Sequence, residues 1–259
     1  MLRYALPSLF IMLATGCAQD LGAGHYETST HPIIHGSPTD SDGLFGTVAL
    51  VLTADGEQDC TGTLIAPSLV VTAAHCIYDL ETQRLLNTPE TYQVVAGALS
   101  IADAGPEHIY AIDALIYHES FPFEGPTDPL FEDIGMGQGD DIGLVILKRP
   151  VDTVDVIPVL PRELTDTVLS EGKGFTISGY GTRDLEGMGA SGVLYTAQQV
   201  YRDRTDAEFW GGNPSSYASC DADSDCTTGE VCIWNECTAT DTCSGDSGGP
   251  VYVELDGTT

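Results

Sequence analysis

The chain has 259 residues, with 9 Lys and Arg against 39 Asp and Glu, a formal net charge of −30, and 42% of its positions apolar. That length fits one large or two small domains, and so acidic a balance excludes a nucleic-acid binder, which needs clustered Lys and Arg to neutralise phosphate. Recurring runs of Val, Ile, Leu and aromatics exclude a disordered chain, and no apolar run reaches the roughly 18 residues of a membrane-spanning helix.

The amino terminus reads as an export segment over residues 1–16, in which Arg3 supplies the early charge and Tyr4 to Leu13 is a short apolar stretch. It ends in Leu13-Ala14-Thr15-Gly16-Cys17, small residues running directly into a cysteine. This resembles the bacterial lipoprotein signal, which implies lipidation of Cys17, with an ordinary signal peptide as the alternative. Ala18 stands where an Asp would suggest inner-membrane retention, so the resemblance points to the outer membrane; membrane contact is expected only through such an anchor. On either reading the chain is exported to the cell envelope or secreted, into a compartment where cysteines form disulfides. Residues 17–32 carry Gly, Ser, Thr and Pro without periodicity and read as a tether or propeptide.

From Ile33 onward, short apolar runs alternate with turn residues. They predict strands over 45–53, 63–65, 69–71, 92–96, 110–117, 142–147, 174–178, 193–201 and 250–255. A helical turn is expected around Ala73-Ala74-His75, and the acidic, Gly-rich stretch 119–141 reads as a long loop. Many short strands, 29 Gly and 14 Pro, and no internal repeat predict an all-β sandwich or barrel.

Three strings carry the chemistry: Val70-Val71-Thr72-Ala73-Ala74-His75-Cys76, Asp140-Asp141-Ile142-Gly143-Leu144-Val145 and Gly245-Asp246-Ser247-Gly248-Gly249-Pro250. A lone His or Asp says little, but small residues on both sides of an Asp-Ser pair serve few functions. In the order His, Asp, Ser, the three resemble the trypsin/chymotrypsin family of serine proteases, over residues 33 to the end. The resemblance implies two antiparallel six-stranded β-barrels of the chymotrypsin type. The first would span 33–160 and hold His75 and the Asp; the second, 161–259, would hold Ser247.

It also implies roles. A serine hydroxyl is a weak nucleophile near neutral pH and needs an adjacent base. Ser247 would attack the peptide carbonyl, His75 would take and later return the proton, and Asp141 would orient the imidazole and stabilise its cation. Asp140 is the rival, and Asp141 is preferred because the family's motif has Asp directly before Ile. The backbone N–H groups of Gly245 and Ser247 would form the oxyanion hole. Cys60 and Cys76 match the family's disulfide around the histidine. Ser178-Gly179-Tyr180-Gly181 is similar to its Ser-Gly-Trp-Gly strand. Ile33-Ile34-His35-Gly36 is similar to the amino terminus freed on zymogen activation, where the Ile33 ammonium would pair with Asp246. Pro32 precedes it, so the activating protease would not be trypsin-like; a chance Ile-Ile in a first strand is the alternative.

Asp241, six residues before Ser247, falls where the family has the floor of its primary pocket, which implies cleavage after Arg or Lys. Cys220, Cys226, Cys232 and Cys237 lie in an insert, 217–240, that allows three disulfide pairings; zinc is disfavoured because a C-x2-C pair is missing. Asp221, Asp223 and Asp225 alternate as in a calcium loop, but Cys226 replaces the expected glycine. Cofactor and metal are therefore not expected. Only 12 residues follow Ser247 (259 − 247) and Cys243 lacks its family partner, so the second barrel reads as truncated. The expectation is a monomeric exported serine endopeptidase acting on proteins or peptides. The rival is an inactive protease-like surface protein that binds through its Cys-rich insert.

Overall fold

A computed structural model describes residues 2–5, 33, 36–40, 46–79, 82, 84–121, 140–170, 172–182, 190–204, 209–212, 225, 231–233, 236–238, 242 and 244–255. In chain order these form β1 (Leu2–Ala5), β2 (Ser37–Pro38), β3 (Thr47–Leu52), β4 (Gln58–Ala66), β5 (Leu69–Thr72), β6 (Tyr78–Asp79), β7 (Arg84–Leu85), β8 (Tyr92–Ala96), β9 (Ile109–Tyr117) and β10 (Gly143–Leu147). They continue with α1 (Thr165–Val168), β11 (Gly174–Gly179), β12 (Tyr195–Arg204), β13 (Phe209–Gly212), β14 (Val231–Ile233), β15 (Glu236–Thr238) and β16 (Val251–Leu255). The fold is all-β, as predicted.

Six strands close into a barrel in the order β10-β5-β4-β3-β8-β9. Its filling follows from period-2 alternation: Tyr110 and Ile112 of β9, Val145 and Leu147 of β10, and Tyr92, Val94 and Ala96 of β8 all point inward. β3 reads Thr-Val-Ala-Leu-Val-Leu and is buried on both faces, which explains its unbroken apolar run. Val48 and Leu50 enter the barrel, while Ala49 and Val51 join Val95, Ala98, Tyr180 and Leu194 in a second cluster. Tyr180 and Leu194 come from the other half of the chain, so this cluster is the seam between the two.

The second half is an open sheet, ordered β1-β16-β11-β12-β13, with β2 also paired to β12. Phe175, Ile177, Ala197, Tyr201, Phe209, Val251 and Val253 form its core, and Phe175 meets Phe209 edge-to-face at 5.6 Å. Ile33 is fully buried in that core beside Leu160, Val168 and Leu169. β1 lies antiparallel to β16, with Leu2 opposite Leu255 and Ala5 opposite Tyr252. A polar link crosses the seam: the Thr47 hydroxyl of β3 is bonded to Ser178 Oγ of β11 at 3.1 Å and to the Tyr252 hydroxyl of β16 at 2.8 Å.

Strand 92–96 of the sequence reading coincides with β8, and the run 193–201 becomes the longer β12. The short hairpin β6–β7, the Gly-rich β13 and the hairpin β14–β15 were not predicted. Most of the loop 119–141, and most of the Cys-rich insert, lie outside the described residues. Within the insert, Cys232 stands opposite Cys237 across β14–β15, and Cys237 is buried and disulfide-bonded.

Candidate active site

β5 and β10 are antiparallel neighbours, with Gly143 opposite Thr72. Residues just beyond Thr72 and just before Gly143 therefore meet at one rim of the barrel. His75 lies three positions past Thr72 and Asp141 two before Gly143. Gly143 permits the approach, because a Cβ there would stand 2.9 Å from Ile77 Cδ1 and 3.0 Å from the Ala73 carbonyl. After β5 the chain tightens into a 3-10 turn, Ala74–Cys76, closed by the Ile77 N–H donating to the Ala74 carbonyl at 2.9 Å. Ala73 and Ala74 are small enough to bury beneath this turn, which leaves the His75 side chain at the surface, 42% exposed.

Asp141 is 1% exposed and its two oxygens are both used by His75. Oδ1 accepts the His75 backbone N–H at 2.8 Å, and Oδ2 lies 2.6 Å from Nδ1. That bidentate hold leaves Nε2 as the nitrogen that faces outward and lacks a proton when the ring is neutral. Burial works against a charge on the ring, but the hydrogen bond and charge of Asp141, with a smaller contribution from Asp59, outweigh it. The His75 pKa is accordingly raised above the ordinary imidazole value. Asp140 is 54% exposed and faces His118, 3.4 Å away, rather than His75. Asp59 accepts a 2.8 Å hydrogen bond from the Tyr92 hydroxyl, whose own proton is held firmly by burial and by that carboxylate.

The Cys60–Cys76 disulfide ties β4 to the turn carrying His75. The ligand atoms of Cys60, His75 and Cys76 lie within 4.8 Å of one another, yet with both sulfurs in the disulfide the group offers a metal a single nitrogen and no thiolate.

Ser247 arrives from the other half on the turn before β16. Its carbonyl accepts the Thr61 N–H of β4 at 2.9 Å and lies 3.8 Å from Cys76 Sγ, the residue after His75. Gly245, buried, takes φ +91°, a left-handed conformation natural to glycine. Any Cβ there would also fall 2.5 Å from Gln58 Oε1. Asp246 is completely buried and its Oδ1 accepts the Gly181 N–H at 2.8 Å. Ile33 is buried in the core of the same sheet.

His75 is thus held on Asp141, and the Gly245–Ser247 turn is held on β4 beside the Cys60–Cys76 disulfide, while Asp241, Cys243 and Cys17 lie outside the described residues. The sequence reading missed Gln58, Asp59, Thr61 and Tyr92, which surround the site. The only local signal for Gln58, Asp59 and Thr61 is closeness to Cys60, and Tyr92 has none, since it reaches the site by its bond to Asp59 across the barrel.

Residues 33–257 match the Trypsin family. The chain is 28% identical over 208 residues to Trypsin of Saccharopolyspora erythraea, covering 80% of this chain and 75% of that protein. It is 26% identical over 207 residues to chymotrypsin-like elastase family member 1 of Macaca fascicularis, covering 76% of this chain and 64% of the relative. Identity to the Homo sapiens protein of the same name is also 26% over 207 residues, at 76% and 66% coverage. The chain therefore spans somewhat under two thirds of the length of these two elastase relatives.

Proposed function

The chain belongs to the trypsin family, and from that premise we propose that it is a serine endopeptidase whose triad is Ser247, His75 and Asp141. The observation that carries this is the double contact of Asp141 with His75, 2.8 Å to the backbone N–H and 2.6 Å to Nδ1. Such a hold sets the tautomer a general base needs. In the reaction, Ser247 Oγ bonds to the peptide carbonyl carbon as its proton passes to His75 Nε2. The carbonyl π pair moves to oxygen, where the N–H groups of Gly245 and Ser247 receive the charge. Collapse of this intermediate breaks the C–N bond, and His75 gives its proton to the leaving amine. Water, deprotonated by His75, then frees the acid from Ser247 by the reverse sequence.

The finer reading is export, cleavage before Ile33 by another protease, and preference for Arg or Lys set by Asp241. Activation is supported by the burial of Ile33 in the second core and by the buried carboxylate of Asp246. Lipidation at Cys17 belongs to the same reading. Charge pairing in a pocket is worth a few kcal/mol, roughly 10²-fold or more over neutral side chains. The test is a peptide library digested by the full chain after limited proteolysis that exposes Ile33, beside Asp241→Ser and Ser247→Ala. Arg and Lys should dominate on the amino side of the cut, Asp241→Ser should lose that preference, and Ser247→Ala should cut nothing. Cutting after small aliphatic residues would replace the Arg/Lys reading with an elastase-like one, and undiminished cutting by Ser247→Ala would refute the triad.

A further inference from the structure

Four hydrogen bonds converge on Thr61, a fully buried residue of β4. Its N–H donates to the Ser247 carbonyl at 2.9 Å, and its carbonyl accepts the Thr72 hydroxyl at 2.8 Å. Its own hydroxyl donates to the Gly245 carbonyl at 2.8 Å and accepts the Tyr180 N–H at 3.1 Å. Gln58 Nε2 donates to that same Gly245 carbonyl at 2.7 Å. One threonine therefore touches the strand leading to His75, the residue just past β11, and both residues assigned to the oxyanion hole.

The side-chain bonds matter separately from the backbone ones. Two donors hold the Gly245 carbonyl and so fix the 245–246 peptide plane; with φ at +91°, that plane is the reference from which the neighbouring plane, carrying the Gly245 N–H, is set. The hydroxyl gives its proton to one partner and accepts from another, so it is locked rather than free to rotate. A buried hydroxyl satisfied on both sides costs little to keep and much to remove, since both its partners would lose a bond away from water.

We propose that Thr61 is a positioning residue whose hydroxyl, bridging Tyr180 N–H and Gly245 C=O, holds the Gly245–Ser247 turn in its oxyanion-binding form. The role rests on Ser247 being the nucleophile, and it acts through Gly245 without touching substrate.

The test compares Thr61→Val, which keeps the shape and removes the hydroxyl, with Thr61→Ser, which keeps the hydroxyl and removes the methyl. Each is made in the full chain, processed to expose Ile33, and its melting is recorded. Four quantities are read: kcat and KM on a peptide amide, affinity for a peptide boronate that mimics the tetrahedral intermediate, and the rate of reaction with a serine-directed phosphonate. Losing a whole oxyanion donor costs about 10²–10³ in kcat, so misdirecting one should cost about 10- to 100-fold. Thr61→Val is expected to lose that much in kcat and in boronate affinity together, with KM within about twofold, while Thr61→Ser stays within about threefold of the parent. If Thr61→Val melts below the assay temperature, Thr61→Ala takes its place. Equal kcat and boronate affinity in the parent and Thr61→Val would overturn the proposal, as would equal losses in Thr61→Ser and Thr61→Val. A parent chain that neither cleaves nor reacts with the phosphonate would instead remove the serine-protease reading, and this role with it.

Discussion

Replacing Asp141 by Asn keeps the shape of the side chain while changing what it offers His75. The carboxylate now accepts two bonds, one from the backbone N–H and one from Nδ1. An amide can satisfy only the first with its oxygen; its NH2 then faces Nδ1 and favours the tautomer with the proton on Nε2, where the base is needed. The lost charge can be sized from the structure. Opposite unit charges separated by the observed 2.6 Å attract by about 6 kcal/mol at an effective dielectric of about 20. Because the His75 side chain is 42% exposed, screening by water removes part of this. About 4–5 kcal/mol remains, equal to about 10³–10⁴ in rate at about 1.4 kcal/mol per tenfold. The corresponding substitution in a serine-protease triad is known to cost about 10⁴ in turnover, a figure independent of these distances. The assay is initial-rate kinetics on a peptide amide by the processed chain, with Asp140→Asn as control. We expect kcat to collapse in Asp141→Asn with KM little changed, and Asp140→Asn to stay within a few-fold of the parent. Near-parental turnover in Asp141→Asn, or a collapse in Asp140→Asn, would refute the reasoning.

Three further outcomes follow from the structure. His75 must be neutral to act as a base and its pKa is raised, so the acidic limb of kcat/KM should lie above the ordinary imidazole value of about 6.5. Asp59→Asn should move the limb down, and a limb that does not respond would remove Asp59 from the account. The linked stability has the opposite pH sense: a raised folded pKa stabilises fully below the unfolded value and is lost as pH rises through the folded one, which a melting series with His75→Gln as reference would record. Breaking the Cys60–Cys76 bridge, which spans 16 residues, should cost about 3 kcal/mol through loop entropy, or roughly 6–12 °C in Tm for a chain of this size. An unchanged melting temperature in the Cys60→Ala/Cys76→Ala double variant would contradict this.

Much of the first barrel was legible because its strands obey one rule each. β9 alternates inward and outward over its first half, and β3 is continuously apolar because it is buried against both the barrel and the seam, as is the end of β8 through Val95. The strings around His75, Asp141 and Ser247 stood out because small residues on both sides of an Asp-Ser pair serve few functions. What was not legible depends on contacts between distant segments. Nothing in Gln58 or Thr61 marks them until β4 docks on the Gly245 turn, 184 residues away from Thr61. The hairpins β6–β7 and β14–β15 are too short to show a period, and β13 carries two glycines that weaken its strand signal. The apolar run near the amino terminus suits either an export segment or a strand, and residues 2–5 lie along β16.

The central claim, that Ser247 is activated by His75 held on Asp141, is tested most directly by locating a covalent adduct. The processed chain is treated with a diphenyl phosphonate and digested, and the modified residue is identified by mass spectrometry. The account predicts one adduct, on the Ser247 hydroxyl, lost in Ser247→Ala and slowed by orders of magnitude in His75→Ala. An adduct on another residue, or equal labelling of Ser247 when His75 is gone, would contradict it.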